Sequence, residues 1–198
     1  MTALPHTAWT AANELLYGIR TTPSGGFSHA VNAASNTGAA TADARFGDNH
    51  RYEALDYSDL RWVRDHLWRQ PGARDDVVFD LGCGMGRALC VLATRPFRKV
   101  VGIELWDDLA AAARRNAARM RGRKTVVEVS RGDVCDVALD EGTAFVLFNP
   151  FGADTLGAVL EHLRESLATN PRRLQLVYFN ALHDRAIALS GLFDTEQR

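Results

Sequence analysis

The chain has 198 residues, of which 46% are hydrophobic and 24% charged, with a formal net charge of −1. That length suits one domain with an N-terminal appendage, with enough apolar residues for a sizeable core. The charge predicts no general attraction to nucleic acid or acidic membrane, and no run approaches the ~18 apolar residues of a membrane span.

Residues 1–20 lack the basic start and apolar core of a secretory signal. Ala8 to Tyr17 reads as a short helix, and Gly18 to Gly26 is turn chemistry throughout. Ser28 to Asn49 is poor in large apolar side chains, so a loop is expected. Two readings compete there: a lid ordering over the active site, or loose surface chain. Eight of the 17 aromatic residues fall in the first 70 positions, which argues against a mere tail. Tyr17, Phe27, Tyr52 and Tyr57 are candidate walls of a substrate pocket, against the plainer reading that each fills core. Asp56 or Ser58 can cap a helix through Leu60, Val63 and Leu67, which Gln70 to Asp76 closes. Residues 1–72 are thus expected as a helical and loop segment, and 73–198 as the core.

Val77, Val78, Phe79 and Leu81 predict a strand buried on both faces. Asp80 puts a carboxylate at its end, and Gly82, Gly84 and Gly86 follow at every second position. Glycine permits positive φ and lets a ligand lie against bare backbone. A helix reads on from Arg87. Strand, glycine turn and helix N-terminus together make a nucleotide-binding corner. The dinucleotide fingerprint Gly-X-Gly-X-X-Gly is not met, because Arg87 stands where its third glycine would fall. Asp80 would repel a pyrophosphate but suits an ammonium or a sulfonium.

The second strand runs from Lys99 to Ile103 and ends on Glu104, placed to accept hydrogen bonds from ribose hydroxyls. An Ala-rich helix from Trp106 to Met120 follows, acidic at its start and basic at its end. Those charges complement the helix dipole. A phosphate- or RNA-binding patch is the sharper alternative, but no aromatic is interleaved. The third strand, Val126 to Val129, leads to Asp133. The fourth, from Phe145, ends at Asn149, where Pro150 stops the ladder. A helix starting at Asp154 or Thr155 carries an apolar stripe through Leu156, Val159, Leu160 and Leu163. Leu174 to Phe179 is a fifth strand, and a helix runs from His183 to about Ser190. The order predicts a Rossmann-like α/β fold: a parallel sheet with helices on both faces, abbreviated where a final β-hairpin would be, with an N-terminal cap. Three scattered cysteines, Cys83, Cys90 and Cys135, fit a reducing compartment, so a cytoplasmic location is expected. The six histidines are separated, and no metal site is expected.

Asp80, Leu81, Gly82, Cys83, Gly84, Met85 and Gly86 together resemble motif I of the class I S-adenosylmethionine-dependent methyltransferases. That resemblance runs from about Val77 to Asn180. It implies S-adenosyl-L-methionine as cofactor, held by Asp80, Gly82, Cys83, Gly84, Glu104, Leu105 and Asn149. It also puts Asp133 and Val134 at the adenine. Phe148, Asn149, Pro150 and Phe151 resemble the Asn-Pro-Pro-Phe/Tyr motif of amino-group methyltransferases, with the second proline missing. In that motif the Asn side chain accepts a hydrogen bond from the target amine. The resemblance therefore makes Asn149 catalytic, with Pro150 and Phe151 at the substrate; Tyr52, Tyr57 and Tyr178 are further candidate substrate residues. His50, Glu53 and Tyr178 are unassigned candidates for a base. The N-terminal pattern looks like a subgroup of small bacterial methyltransferases and is distantly similar to the non-SET histone-lysine methyltransferases. That likeness implies that Tyr17 and Thr21 touch the cofactor's methionine end. The expected acceptor is a small molecule or a protein, through nitrogen in preference to oxygen. A nicotinamide-dependent oxidoreductase and a non-catalytic nucleoside-binding scaffold are the alternatives.

Overall fold

Val77–Leu81 forms β1 and is buried along its whole length in the computed structural model, which describes residues 5–22 and 53–194. Such a strand needs neighbours on both edges and cover on both faces. Lys99–Glu104 (β2) lies on one edge and Ala144–Phe148 (β4) on the other, pairing Phe79 with Val101 and with Phe145. Val126–Arg131 (β3) and Gln175–Phe179 (β5) complete a parallel five-stranded sheet in the order β3-β2-β1-β4-β5. The helices are α1 (His6–Tyr17), α2 (Tyr57–Trp68), α3 (Arg87–Leu92), α4 (Asp107–Arg119), α5 (Ala153–Thr169) and α6 (Asp184–Ser190).

Side chains alternate along β1, so its residues divide between two cores. Val77, Phe79 and Leu81 join Phe145 and Leu147 in packing against Leu156, Val159, Leu160 and Leu163 of α5 and Ile187 of α6. Val78 and Val146 point to the other face, where Val63 and Leu67 of α2, Leu89 and Leu92 of α3 and Ala113 of α4 cover them. Helices on both faces and parallel strands make this a doubly wound Rossmann-like sheet, as the strand–helix order predicted. Strand order reverses between β1 and β4, which is the switch point where such sheets bind ligands. Among the described residues no strand follows β5.

The observed elements lie close to the predicted ones. Asp56 caps α2, its carboxylate accepting from the Ser58 N–H at 2.8 Å. α5 starts at Ala153, a residue before the expected cap, with Gly152 as N-cap. The basic residues after α4 answer carbonyls: Arg121 donates to Leu15 O and Arg123 to Ala117 O. The segment from Ser28 to Asn49, with Phe27, His50 and Tyr52, lies outside the described residues.

Arg87, at the first position of α3, fastens the N-terminal segment to the sheet. Its Nε donates to Thr21 Oγ1 at 2.7 Å and its Nη1 to Leu55 O at 3.1 Å. Glu14 stands 3.8 Å away and also accepts from the N–H groups of Thr21 and Thr22. The guanidinium lies over the Tyr57 ring, 4.8 Å from its centroid. Arg87, Thr21, Leu55 and Tyr57 are buried and Glu14 is half-buried, so removing the cation strands a carbonyl out of water and leaves a partly desolvated carboxylate unpaired. Arg87→Ala is expected to cost about 3–5 kcal/mol, read as a lower urea midpoint with an unchanged slope.

Candidate active site

The turn after β1 is shaped by what lies around it. Gly82, Gly84 and Gly86 have φ of 78°, 54° and 79°, the left-handed region that other residues enter only at a cost. At Gly82 a second reason applies, because an added Cβ would overlap Pro150 Cβ. The loop after β1 and the loop after β4 therefore touch across the switch point. The N–H groups of Gly82 and Cys83 both donate to Ile103 O at 2.9 Å. In β2, Gly102 leaves room for Leu89 and Cys83; a Cβ there would come within 2.6 Å of Leu89 Cδ1 and 2.7 Å of Cys83 Sγ.

Glu104 holds the turn from below. One carboxylate oxygen accepts from Gly84 N at 2.8 Å and the other from Trp106 N at 2.9 Å. Burial raises its pKa, and the backbone donors Trp106, Gly84 and Leu105 oppose that rise. Each oxygen keeps a further lone pair for a ligand hydroxyl. Asp80 is more deeply placed. One of its oxygens is buried without a hydrogen-bond partner among the described residues. Burial first, and the neighbouring charge of Glu104 second, push its carboxyl up to about 7. Asp133 caps its own loop, accepting from Cys135 N at 2.9 Å, and Gly132 N donates to Glu104 O at 3.0 Å.

One open cleft runs along these carboxyl ends. Of the residues singled out for the cofactor, Gly82, Gly84, Glu104, Leu105, Asp133 and Val134 line it. Asn149, Pro150 and Phe151 line it from the β4 side. Asp80 and Cys83 lie beneath the turn, buried. Asn149 has a φ of 46°, which turns the chain sharply out of β4, and the Tyr178 hydroxyl donates to its Oδ1 at 3.1 Å. Tyr178 thus reaches the cleft through Asn149 and is not on its wall.

Three expectations need correction. Tyr17 is 6% exposed and Tyr57 fully buried; their rings stack at 5.6 Å in the core beneath the N-terminal segment. Thr21 is also fully buried, bonded to Glu14 and Arg87. None of the three lines the cleft. The physical reason is Arg87: a buried cation recruits Glu14, Thr21 and the Tyr57 face around itself. Sequence reasoning missed Ile103, Trp106, Leu109, Gly132 and Phe148 as cleft residues and left Glu53 unassigned. Ile103, Trp106 and Phe148 flank predicted strand ends, a signal that was available. Leu109 needed the helix to be placed first.

The groups present fit a cationic nucleoside. A glycine cradle offers backbone, a strand-end Glu offers ribose acceptors, and a buried carboxylate oxygen without a partner lies under the turn. Among the described residues no Lys, Arg or His lines the cleft to meet a pyrophosphate. Fold and site define a doubly wound nucleoside-binding domain. Residues 78–170, slightly less than half of the chain, match a family described as a methyltransferase domain. Those residues carry a methyltransferase domain of the class I S-adenosylmethionine-dependent type. A Saccharolobus islandicus protein-lysine N-methyltransferase is 34% identical over 80 residues, 38% of this chain and 47% of that protein. The chain thus spans about half the length of the curated relative it matches. A solved protein from Thermoplasma acidophilum shares the fold at a TM-score of 0.51 and 17% identity, over 68% of each chain. An RNA methyltransferase from Salinibacter ruber, solved with S-adenosyl-L-homocysteine, aligns at a TM-score of 0.42 and 28% identity, over 63% of this chain and 72% of that one. No helix among the described residues is long and apolar enough to cross a membrane.

Asp80 makes stability depend on pH. Its folded pKa of about 7 lies above the ordinary 3.8, so the fold favours the protonated form. That contribution is fully present below pH 3.8 and is lost as pH rises to about 7, on the order of 4 kcal/mol. The melting temperature of ligand-free protein is expected to fall from pH 5 to pH 8 relative to Asp80→Asn, which cannot titrate. Parallel curves for the two proteins would remove Asp80 from this role.

Proposed function

We propose that the chain catalyses methyl transfer from S-adenosyl-L-methionine to an amine nitrogen, on a protein or a small molecule. The observation that carries the reading is the placement of Asn149, Pro150 and Phe151 in one cleft with Glu104 and Asp133. Gly82 and Gly84 offer backbone to the cofactor's methionine part, Asp80 an opposite charge, Glu104 the ribose acceptors, and Asp133 with Val134 the adenine edge. When bound, the cofactor supplies a methyl group already activated by its sulfonium. Gly82, Gly84, Asp80 and Glu104 would hold that cofactor so that its methyl faces the acceptor nitrogen and it leaves as the neutral thioether. An ammonium acceptor first loses a proton to solvent, so that nitrogen has a lone pair.

The chain's own work is alignment and exclusion of water. Asn149 Oδ1, held by Tyr178, is placed to accept from an amine N–H and so aim the lone pair. Phe151, buried against the β4–α5 core, forms an apolar wall. A protein-lysine acceptor is favoured by the likeness to the Saccharolobus islandicus protein-lysine N-methyltransferase, and an amine by the carboxylates Glu53, Glu104 and Asp133 among the described lining residues. The same carboxylate-rich wall opposes a phosphate-bearing acceptor. Cys83, Cys90 and Cys135 form no disulfide among the described residues, which supports a reducing compartment such as the cytoplasm. Tritium-labelled cofactor offered with lysine-bearing protein, small amines, carboxylic acids and RNA tests the reading. Label is expected on an amine. Label only on RNA or a carboxylate overturns the acceptor class. S-Adenosyl-L-homocysteine binding without any transfer would favour a scaffold.

A further inference from the structure

Glu53 is the one lining residue of the cleft contributed from before β1 among the described residues. The two other carboxylates there are tied into the framework: Glu104 by Gly84 and Trp106 N–H, and Asp133 by Cys135 N–H. Glu53 is exposed and makes no hydrogen bond or ion pair to a described residue. Among the described residues no cation on the wall offsets it.

Its position is fixed from behind. Two residues on, Leu55 O accepts from Arg87, and Asp56 caps α2. Trp62 of α2 meets Phe179, the last residue of β5, edge-on at 6.2 Å. Leu55 and Tyr57 share an apolar cluster with Phe148 and Phe179, the ends of β4 and β5. Glu53 therefore enters the cleft from the half that carries Asn149 and Phe151, across the sheet from Asp133 after β3.

We propose that Glu53 recognises the acceptor: its carboxylate binds the ammonium group of a lysine-type primary amine and selects cations over neutral or anionic acceptors. This rests on the methyltransferase reading above. A free carboxylate between low-dielectric walls concentrates cations and repels anions. Glu53 acts on capture, so it governs KM for the acceptor and not the chemical step.

The test uses the full chain saturated with S-adenosyl-L-homocysteine and two probes of one shape, Nα-acetyl-lysine methylamide and Nα-acetyl-norleucine methylamide. Calorimetry on the unaltered protein is expected to show the lysine probe binding about tenfold tighter than the norleucine probe. In Glu53→Gln that preference should shrink to about twofold, with S-adenosyl-L-homocysteine affinity unchanged. Equal binding of the two probes to the unaltered protein overturns the proposal. So does a Glu53→Gln protein that keeps its lysine preference, or one that loses nucleoside affinity instead, which would assign the carboxylate to the cofactor. Failure of the underlying reading shows separately, as no S-adenosyl-L-homocysteine binding at the outset.

Discussion

Glu104→Ala is expected to weaken S-adenosyl-L-homocysteine binding by about a hundredfold or more. The side chain holds the Gly84 and Trp106 N–H groups at 2.8 and 2.9 Å, and its remaining lone pairs face the cleft. Hydrogen bonds to an ionised group contribute about 1.5–3 kcal/mol each. Losing two from a ribose is about 3–6 kcal/mol, or two to four decades in Kd. The same substitution frees the glycine turn, which adds an ordering cost on binding. Ligand-free stability should move much less than affinity. Glu104 is a buried acid with a raised pKa, so its removal relieves desolvation as it deletes two hydrogen bonds. Calorimetric titration beside a thermal melt separates the two effects. Undiminished binding would move the nucleoside site elsewhere.

Asn149→Gly is expected to lower kcat by about a hundredfold, the scale of a misplaced reacting group, with cofactor affinity nearly unchanged. Glycine is the informative replacement because Asn149 has a φ of 46°. It keeps the backbone path out of β4 and removes only the amide. Alanine would add left-handed strain of about 1–2 kcal/mol and confuse folding with chemistry. Tyr178→Phe deletes the donor that steadies Asn149 Oδ1 and should give a smaller fall in kcat. Single-turnover measurement of label transfer, with kcat and KM resolved, checks both. If Asn149→Gly raised only KM, the side chain would be a binding group and not an aligning one.

The strands were legible because their composition admits little else. β1 and β4 are runs of Val, Phe and Leu buried on both faces, and a parallel central strand produces that pattern. The strand-end acids were legible for a related reason: a carboxylate placed after an apolar run falls at the sheet's carboxyl edge. Gly82, Gly84, Glu104 and Asp133 were picked out this way, and the fold brings them to one cleft. Tyr17, Thr21 and Tyr57 were misread because an aromatic or hydroxyl side chain near a site looks the same whether it lines a pocket or packs behind it.

The sequence by itself determined the parallel sheet and the nucleoside corner, since local apolar period, glycine spacing and strand-end charge are all short-range properties of the chain. Only the tertiary structure decided the use of Arg87, which sits where a dinucleotide fold would have glycine and instead anchors Glu14, Thr21 and Leu55, which lie 73, 66 and 32 positions earlier. Only it decided that Glu53 stands in the cleft while Tyr57, four residues later, does not. Both depend on contacts between distant segments, where a buried cation must gather its partners from wherever the fold brings them.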